Sequence, residues 1–395
     1  MTAPTTNTDF DLGQHNVWVR VDHGALRRNA EAVRSFLKSG DGGSPDLMAV
    51  VKANGYGHGV GNAAQAFRDG GAGWFGVTSI VEADELIASG IDPAETPILV
   101  FSPLVTERQC DDALRGGVHL TVCDPGHIDL VDRAANRLGV VANVHLKVDT
   151  GMGRLGLPPA GALKTASEIL RRPSLKLTAV YTHFARATEN DLTPTRTQLK
   201  KFTEFCDSLA ASGAAPFLRH CANSAALARL PESRLDLVRA GTLLYGQYPS
   251  SDVPKLPGLN ASTLFLEARA TFVHDLPAGV SVGYGAEYKT TRPTRAAVIP
   301  VGFADGVAMQ PSSVTQGVRG LKQLVAGLVK PQGLFVKFGG FAAPVIGRVA
   351  MQMIVVDVTD APTAVAAGDI AAVPARRLAI SASLPRIVVN KEIAP

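Results

Sequence analysis

A chain of 395 residues, 46% hydrophobic and 19% charged, is longer than one ordinary core and has the composition of a compact soluble protein, so two domains are expected. Its 39 basic and 35 acidic residues leave a formal charge of only +4, scattered along the chain, which argues against nucleic acid or an anionic membrane as a partner. No run of about 18 apolar residues could span a bilayer, the polar stretch from Met1 to Asp11 lacks a secretory pattern, and Cys110, Cys123, Cys206 and Cys221 show neither CxxC pairing nor metal-ligand spacing, so a reduced cytoplasmic setting without metal is expected.

Val17 to Val21 reads as a short strand, and Ala25 to Leu37 has the helical spacing of Leu, Ala, Val and Phe. From there to about residue 246, apolar runs alternate with amphipathic segments. Candidate strands fall near 46–51, 73–77, 97–101, 118–122, 142–148, 177–182, 216–220 and 235–240, with helices such as Glu82 to Ser89, Glu107 to Arg115 and Pro194 to Ala211 between them. This alternation points to an α/β chain with a (β/α)8 TIM barrel over 17–250, although a doubly wound open sheet has similar local signals. Tyr248 to Pro257 is rich in Pro, Ser and Asp and reads as a linker. Beyond it, runs rich in valine, threonine and alanine at 264–273, 296–301, 334–338, 344–349, 353–358 and 370–373 predict a second, mainly β domain over 257–395.

The first barrel strand delivers Lys52 into the loop Ala53-Asn54-Gly55-Tyr56-Gly57-His58-Gly59. A lysine in a Gly-rich turn is usually a surface residue, but the end of a barrel strand is where such enzymes build their sites. The string Ala49 to Gly59 resembles the cofactor-lysine motif of alanine racemases, fold-type III enzymes that use pyridoxal 5'-phosphate. The resemblance implies that Lys52 carries the cofactor as a Schiff base and that Tyr56 reaches its phosphate. To attack an aldehyde the lysine must be uncharged, which burial or a nearby cation favours.

Lys147-Val148-Asp149-Thr150-Gly151-Met152-Gly153-Arg154-Leu155-Gly156 contains a GxGxxG string. No Rossmann unit surrounds it, and the string alone is weak. It matches instead the family's Asp-Thr-Gly-Met-Gly-Arg-x-Gly loop, which makes Arg154 a partner of the cofactor O3' and the substrate. Lys147 is then either carbamylated, as in some members, or one half of an ordinary buried ion pair. By the same resemblance His183, in Thr182-His183-Phe184-Ala185, belongs to the hydrogen-bond network behind the cofactor. Barrels often bind phosphate through the loops after their last two strands. Here those loops carry His220-Cys221-Ala222-Asn223-Ser224 and Arg239-Ala240-Gly241-Thr242, which implicates Ser224, Gly241 and Thr242. The structural alternatives are a helix N-cap for Ser224 and a helix C-cap for Gly241.

Arg239 faces the pyridine nitrogen in this reading. An arginine cannot accept the ring's proton, so the carbanion is less delocalised and returns its proton at Cα, which favours racemisation over transamination. Racemisation needs acid–base groups on both faces of Cα. Lys52 serves one, and Tyr284, in Ser281-Val282-Gly283-Tyr284-Gly285, resembles the family's second base, the alternative being a tyrosine in a hairpin turn. An ordinary tyrosine is ionised about once in 1000 at pH 7, a cost near 4 kcal/mol, so cations such as Arg154 and Arg239 must help.

In the family, the β domain of one subunit closes the barrel of the other and the early strand can join that domain, so a homodimer with Tyr284 acting across the interface is implied. Ile299 to Gly306 and Gly347 to Met351 also match, and the Met351 N–H would hold the substrate carboxylate. Departures cluster late in the chain. Gln352 stands where the family usually has aspartate, Gly306 to Pro344 looks long, and Gly368 to Pro385 looks short. Ala382 lies nearest the position of a family tyrosine, which suggests a roomier pocket. The resulting expectation is a racemase of alanine, with serine and other small amino acids as further substrates. A fold-type III decarboxylase is the alternative, opposed by Arg239 and by the lack of any cysteine after Cys221. A pyridoxal-phosphate-binding homeostasis protein would leave the region after 257 unexplained.

Overall fold

The computed structural model describes residues 12–38, 44–309 and 333–389. The amino-terminal stretch to Asp11 and most of the long segment between Gly306 and Pro344 lie outside the described residues.

Strand β1 (Val17–Asp22) leads straight into the helix His23–Lys38, whose first turn is capped by Asp22 Oδ1 accepting from Ala25 N at 2.7 Å. Eight parallel strands follow: β2 (Asp46–Val50), β3 (Trp74–Val77), β4 (Ile98–Val100), β5 (His119–Val122), β6 (Ala142–Lys147), β7 (Leu175–Tyr181), β8 (Leu218–His220) and β9 (Leu237–Ala240). Each lies within two residues of its expected ends. They pair in the order β8-β7-β6-β5-β4-β3-β2-β9. Two backbone bonds, Asp236 N to Arg219 O (3.2 Å) and Arg239 N to Ala222 O (3.1 Å), bring β9 against β8 without a ladder, so the barrel is nearly closed.

The strands are apolar throughout because both of their faces are covered. In β2, Leu47 and Ala49 join the large core shared with the surrounding helices, while Met48 meets Trp74, Leu99 and Leu237 inside the barrel. That interior layer plugs one end. The polar inward residues Lys147, Tyr181 and Arg239 sit at the carboxyl ends of their strands, where a cavity opens. Between the strands, helices Ile80–Ala88 and Glu107–Arg115 begin with complete capping boxes, Ser79/Glu82 and Thr106/Gln109.

The carboxyl-terminal part is mainly β: β10 (Leu264–Arg269), β11 (Phe272–Leu276), β12 (Ser281–Val282), β13 (Tyr288–Lys289), β14 (Thr294–Ile299), β15 (Phe335–Phe338), β16 (Phe341–Ile346), β17 (Ile354–Asp357), β18 (Ile370–Val373) and β19 (Arg386–Val389). All but the β12–β13 pair form one nine-stranded sheet in the order β11-β14-β17-β16-β15-β18-β10-β1-β19. The run expected over 264–273 is two strands. At Ala270 and Thr271 the backbone turns from Asp369 O to Val298 O, and the chain changes partner from β18 to β14. β1 sits in this sheet, antiparallel to β10 and parallel to β19.

Candidate active site

Lys52 directly follows β2, and what comes next is a left-handed turn. Ala53, Asn54, Gly55 and Tyr56 have φ of 53°, 55°, 58° and 51°. A left-handed backbone costs an L-residue roughly 1–2 kcal/mol, Asn less, so something must hold it. Gly55 N bonds Val51 O, and Gly57 N and Gly59 N both bond Asn54 O, each at 2.9 Å. His58, fully buried, sets Nδ1 on Gly55 O at 3.0 Å and Nε2 3.0 Å from Thr263 Oγ1. The carboxyl-terminal tail adds Arg386 Nε to Gly57 O at 3.2 Å, and Arg377 donates to Tyr245 O at 2.7 Å. Gly57, with φ 90°, has no room for a side chain, since a Cβ would lie 2.4 Å from Arg377 O.

The turn stacks Tyr56 on the buried Tyr245 ring, centroids 4.6 Å apart, and points its hydroxyl at Gly241. Ser224 Oγ accepts from Gly241 N at 3.0 Å. The N-cap of the helix Ser224–Arg229 is Asn223, whose Oδ1 accepts from Ala225 N and Ala226 N, so the Ser224 hydroxyl has no capping duty. Nor is Gly241 a C-cap: it precedes the short 3-10 turn Thr242–Tyr245 at φ −116°. Any side chain there would meet Tyr56 Oη, 2.6 Å from its Cβ.

Arg239 is buried and spends most of its donors on protein. Nη1 donates to His220 O (2.9 Å) and His220 Nδ1 (2.8 Å), and Nη2 to Thr182 O (2.7 Å) and Cys221 O (3.2 Å), with His183 Nδ1 at 3.4 Å. Its Nε–H has no protein partner among the described residues. Because Arg239 donates to Nδ1 of His220, Nε2 of that ring carries the proton. It faces His145 Nδ1 at 3.1 Å, and His145 Nε2 in turn faces His119 Nδ1 at 3.1 Å. Three neutral imidazoles thus run down the barrel interior from Arg239, His220 donating to His145 and His145 to His119, and Tyr181 stacks on His220 at 4.8 Å.

The electrostatics are those of a buried cationic site. Burial and then the Arg154 charge lower the Lys52 pKa, opposed by Glu82. Lys147 is lowered to about 8 by burial and by Arg239. It donates to Val148 O at 2.9 Å and has no ion pair among the described residues. Burial, Arg239 and Arg154 push His183 down to about 3, and burial raises Tyr56.

One cavity of about 480 Å³ gathers Lys52, Tyr56, Arg154, His183, Ser224, Arg239, Gly241 and Thr242, with Lys147 also on its wall. Two predicted residues stay apart from it. Tyr284 is 73% exposed in the turn between β12 and β13, and Met351 is 60% exposed. They are on neighbouring segments, because a Cβ on Gly347 would lie 2.7 Å from Val282 O and Arg348 pairs with Glu287. Ala382 and Gln352 do not line the cavity either. Sequence reasoning missed Tyr245, Glu82 and the histidines 119, 145 and 220. The period of two in β6, which puts His145 on the same inward face as Lys147, was the available signal.

The chain matches the profile of the alanine racemase N-terminal domain over residues 21–249 and that of the alanine racemase C-terminal domain over 263–382. An alanine racemase of Desulfosudis oleivorans is 36% identical over 367 residues, covering 91% of this chain and 87% of the relative. One of Symbiobacterium thermophilum is 39% identical over 330 residues, covering 83% and 85%. Among solved structures, the alanine racemase of D-cycloserine-producing Streptomyces lavendulae superposes with a TM-score of 0.79 at 30% identity, covering 95% of this chain and 98% of that one. The alanine racemase of Clostridium difficile 630 gives 0.84 at 25% identity, covering 95% and 96%.

Proposed function

We propose that this chain, which belongs to the alanine racemase family, interconverts L- and D-alanine with pyridoxal 5'-phosphate as cofactor, using Lys52 of one subunit and Tyr284 of a second. The observation that carries the reading is the single cavity that joins a lysine of lowered pKa to a cluster of hydroxyls and backbone N–H groups and to a buried arginine.

The donor set fits the cofactor. The Tyr56 and Ser224 hydroxyls with the Gly241 and Thr242 N–H groups suit a phosphate, and Gly241 leaves the Tyr56 hydroxyl the space a side chain would take. Arg239 offers Nε–H to a ring nitrogen, with His183 beside it, and Arg154 suits the ring oxygen and the substrate carboxylate. When bound, the cofactor supplies an electron-accepting ring that makes the substrate's Cα proton acidic. Lys52, its pKa lowered by burial and Arg154, takes that proton on one face, and the Tyr284 hydroxyl gives one on the other. The opposite direction exchanges their roles. Arg239 keeps its own protons and so limits charge withdrawal from Cα, which favours reprotonation there.

The exposure of Tyr284 and Met351, away from their own chain's cavity, supports a homodimer in which the β domain of each copy completes the other's site, with the Met351 N–H on the substrate carboxylate. A lysine of pKa about 8 has about one neutral amine in ten at pH 7, which supports carbamylation of Lys147. A cytoplasmic setting belongs to the same reading, supported by four buried free cysteines. Among the described residues no helix is long and apolar enough to cross a membrane. Because Ala382 adds no wall to the cavity, serine and other small amino acids are included as substrates. The match of 263–382 to the racemase C-terminal domain weighs against a decarboxylase or a cofactor-binding homeostasis protein.

The test is the loss of optical rotation from a panel of L-amino acids by purified enzyme. Lys52→Ala is expected to abolish it. Activity of that variant without added amine would overturn the mechanism, and turnover of alanine alone would remove the larger substrates.

A further inference from the structure

The left-handed turn after Lys52 has one feature that its own backbone does not explain. The Ala53 N–H has no carbonyl partner in the turn. It donates to Glu82 Oε1 at 2.6 Å, from a residue 29 positions later in the chain. The other oxygen of the same carboxylate, Oε2, accepts from Thr78 N at 2.7 Å and Ser79 N at 3.2 Å, the bonds of the capping box that starts the helix Ile80–Ala88. A capping box needs only that second oxygen. The bond to Ala53 serves Lys52's turn and contributes nothing to the helix.

We propose that Glu82 is a positioning residue for Lys52, its carboxylate pinned on one oxygen by the start of the helix after β3 and holding on the other the first left-handed residue beyond the lysine. The proposal rests on the reading of Lys52 as the cofactor lysine. Its physical content is that Ala53, at φ 53° and ψ 54°, is in a conformation that alanine leaves unless an outside contact holds it. Were it to relax to the ordinary right-handed region, the direction of the chain on either side would change, and the Lys52 amine and the Tyr56 hydroxyl would lose their common alignment on the cavity. Only an anionic acceptor with two free oxygens satisfies three N–H groups from two segments at once. The same negative charge favours the protonated amine of Lys52, against burial and Arg154. Glu82 therefore holds the backbone that aims the amine and adds a raising contribution to its pKa.

Three variants of the full-length enzyme test this. Glu82→Gln keeps size and one acceptor oxygen, but its NH2 then faces an N–H donor. Glu82→Asp keeps charge and loses reach. Ser79→Ala breaks the other half of the same capping box and leaves the Ala53 bond alone. The readouts are kcat and KM for alanine, and, on cofactor-free protein, the pH dependence of Lys52 acetylation by acetic anhydride, followed by mass spectrometry. The expected result for Glu82→Gln is a fall in kcat of tenfold or more with KM changed less than threefold, together with a Lys52 acetylation midpoint moved to lower pH. Glu82→Asp recovers the midpoint better than the rate. Ser79→Ala lowers the melting temperature without moving the midpoint. If wild type racemises alanine, Lys52→Ala does not, and Glu82→Gln matches wild type in both kcat and midpoint, Glu82 is a helix cap only while the cofactor assignment stands. Equal shifts of the midpoint in Ser79→Ala and Glu82→Gln would likewise overturn the specific role. If wild type fails to racemise any amino acid, the underlying reading fails first.

Discussion

Replacing Gly241 by alanine isolates the contact on which the phosphate assignment depends. The backbone there has φ −116° and ψ −91°, so the substitution demands no left-handed conformation. The added Cβ would lie 2.6 Å from Tyr56 Oη and 3.2 Å from its Cζ. Tyr56 cannot retreat, because its ring is stacked at 4.6 Å on Tyr245, itself fully buried with Phe67 on its edge at 5.1 Å and His58 at 4.8 Å. Overpacking of this kind costs about 1–3 kcal/mol, and since the displaced groups are the ones assigned to the phosphate, the cost falls on the cofactor. Cofactor affinity is then expected to drop about 5- to 140-fold, at about 1.4 kcal/mol per tenfold. Titration of cofactor-free protein, followed by absorbance, reads this directly. Tyr56→Phe removes the 2.6 Å contact, so the double variant should bind better than the sum of the two single losses predicts. Unchanged affinity in Gly241→Ala, or strict additivity in the double variant, would refute the contact as the site's constraint.

Tyr284→Phe is expected to abolish racemisation while leaving cofactor binding intact; full activity in both directions would end the two-base assignment. Mixing Lys52→Ala and Tyr284→Phe subunits should restore about a quarter of wild-type activity, since half the dimers are mixed and each holds one complete site, whereas no recovery would place both groups in one subunit. Burial pushes His58 down to about 3, so the fold binds fewer protons there than the unfolded chain; its contribution is intact above pH 6.5 and falls as pH drops toward 3, by about 2 kcal/mol at pH 5. Denaturant unfolding of His58→Asn should show a weaker loss between pH 6.5 and 5, and an identical pH slope would contradict this. Arg239→Met strands the buried carbonyls of Thr182 and Cys221, each worth about 1–3 kcal/mol unsatisfied, so a markedly lower melting temperature is expected, not merely weaker cofactor binding.

The barrel was legible in the sequence because a strand covered on both faces must be an apolar run, and such runs as Leu47 to Val51 and Ile98 to Phe101 stand out between amphipathic helices. The lysine loop was legible as a motif but not as a shape. Two of the four residues at φ near 55° are alanine and tyrosine, which nothing in the local code would place there. What imposes the shape arrives from far along the chain: Glu82, Thr263, Arg377 and Arg386. Long-range hydrogen bonds leave no periodic trace, so those partners were invisible. Ser224 and Gly241 were found for their chemistry, yet their structural alternatives assigned the wrong cap, because Asn223 caps the helix better and the glycine is required by a tyrosine hydroxyl. Lys147 was weighed as an ion pair, but a carbonyl and an aromatic face surround it instead.

The place of β1 governs how this molecule can be made and how it can move. Sequence order runs from β1 out through all eight barrel strands and back into the same sheet at β10, and β1 is held on its other side by β19, the last strand described. Topologically, the barrel is a long insertion whose entrance and exit strands are stitched side by side. On the ribosome β1 emerges long before β19, so its second edge stays uncovered until the barrel and most of the sheet have been made. In the finished protein, two adjacent tethers take the place of a single swivel. Opening of the cavity to substrate therefore belongs to loops, and little of it to a hinge between barrel and sheet.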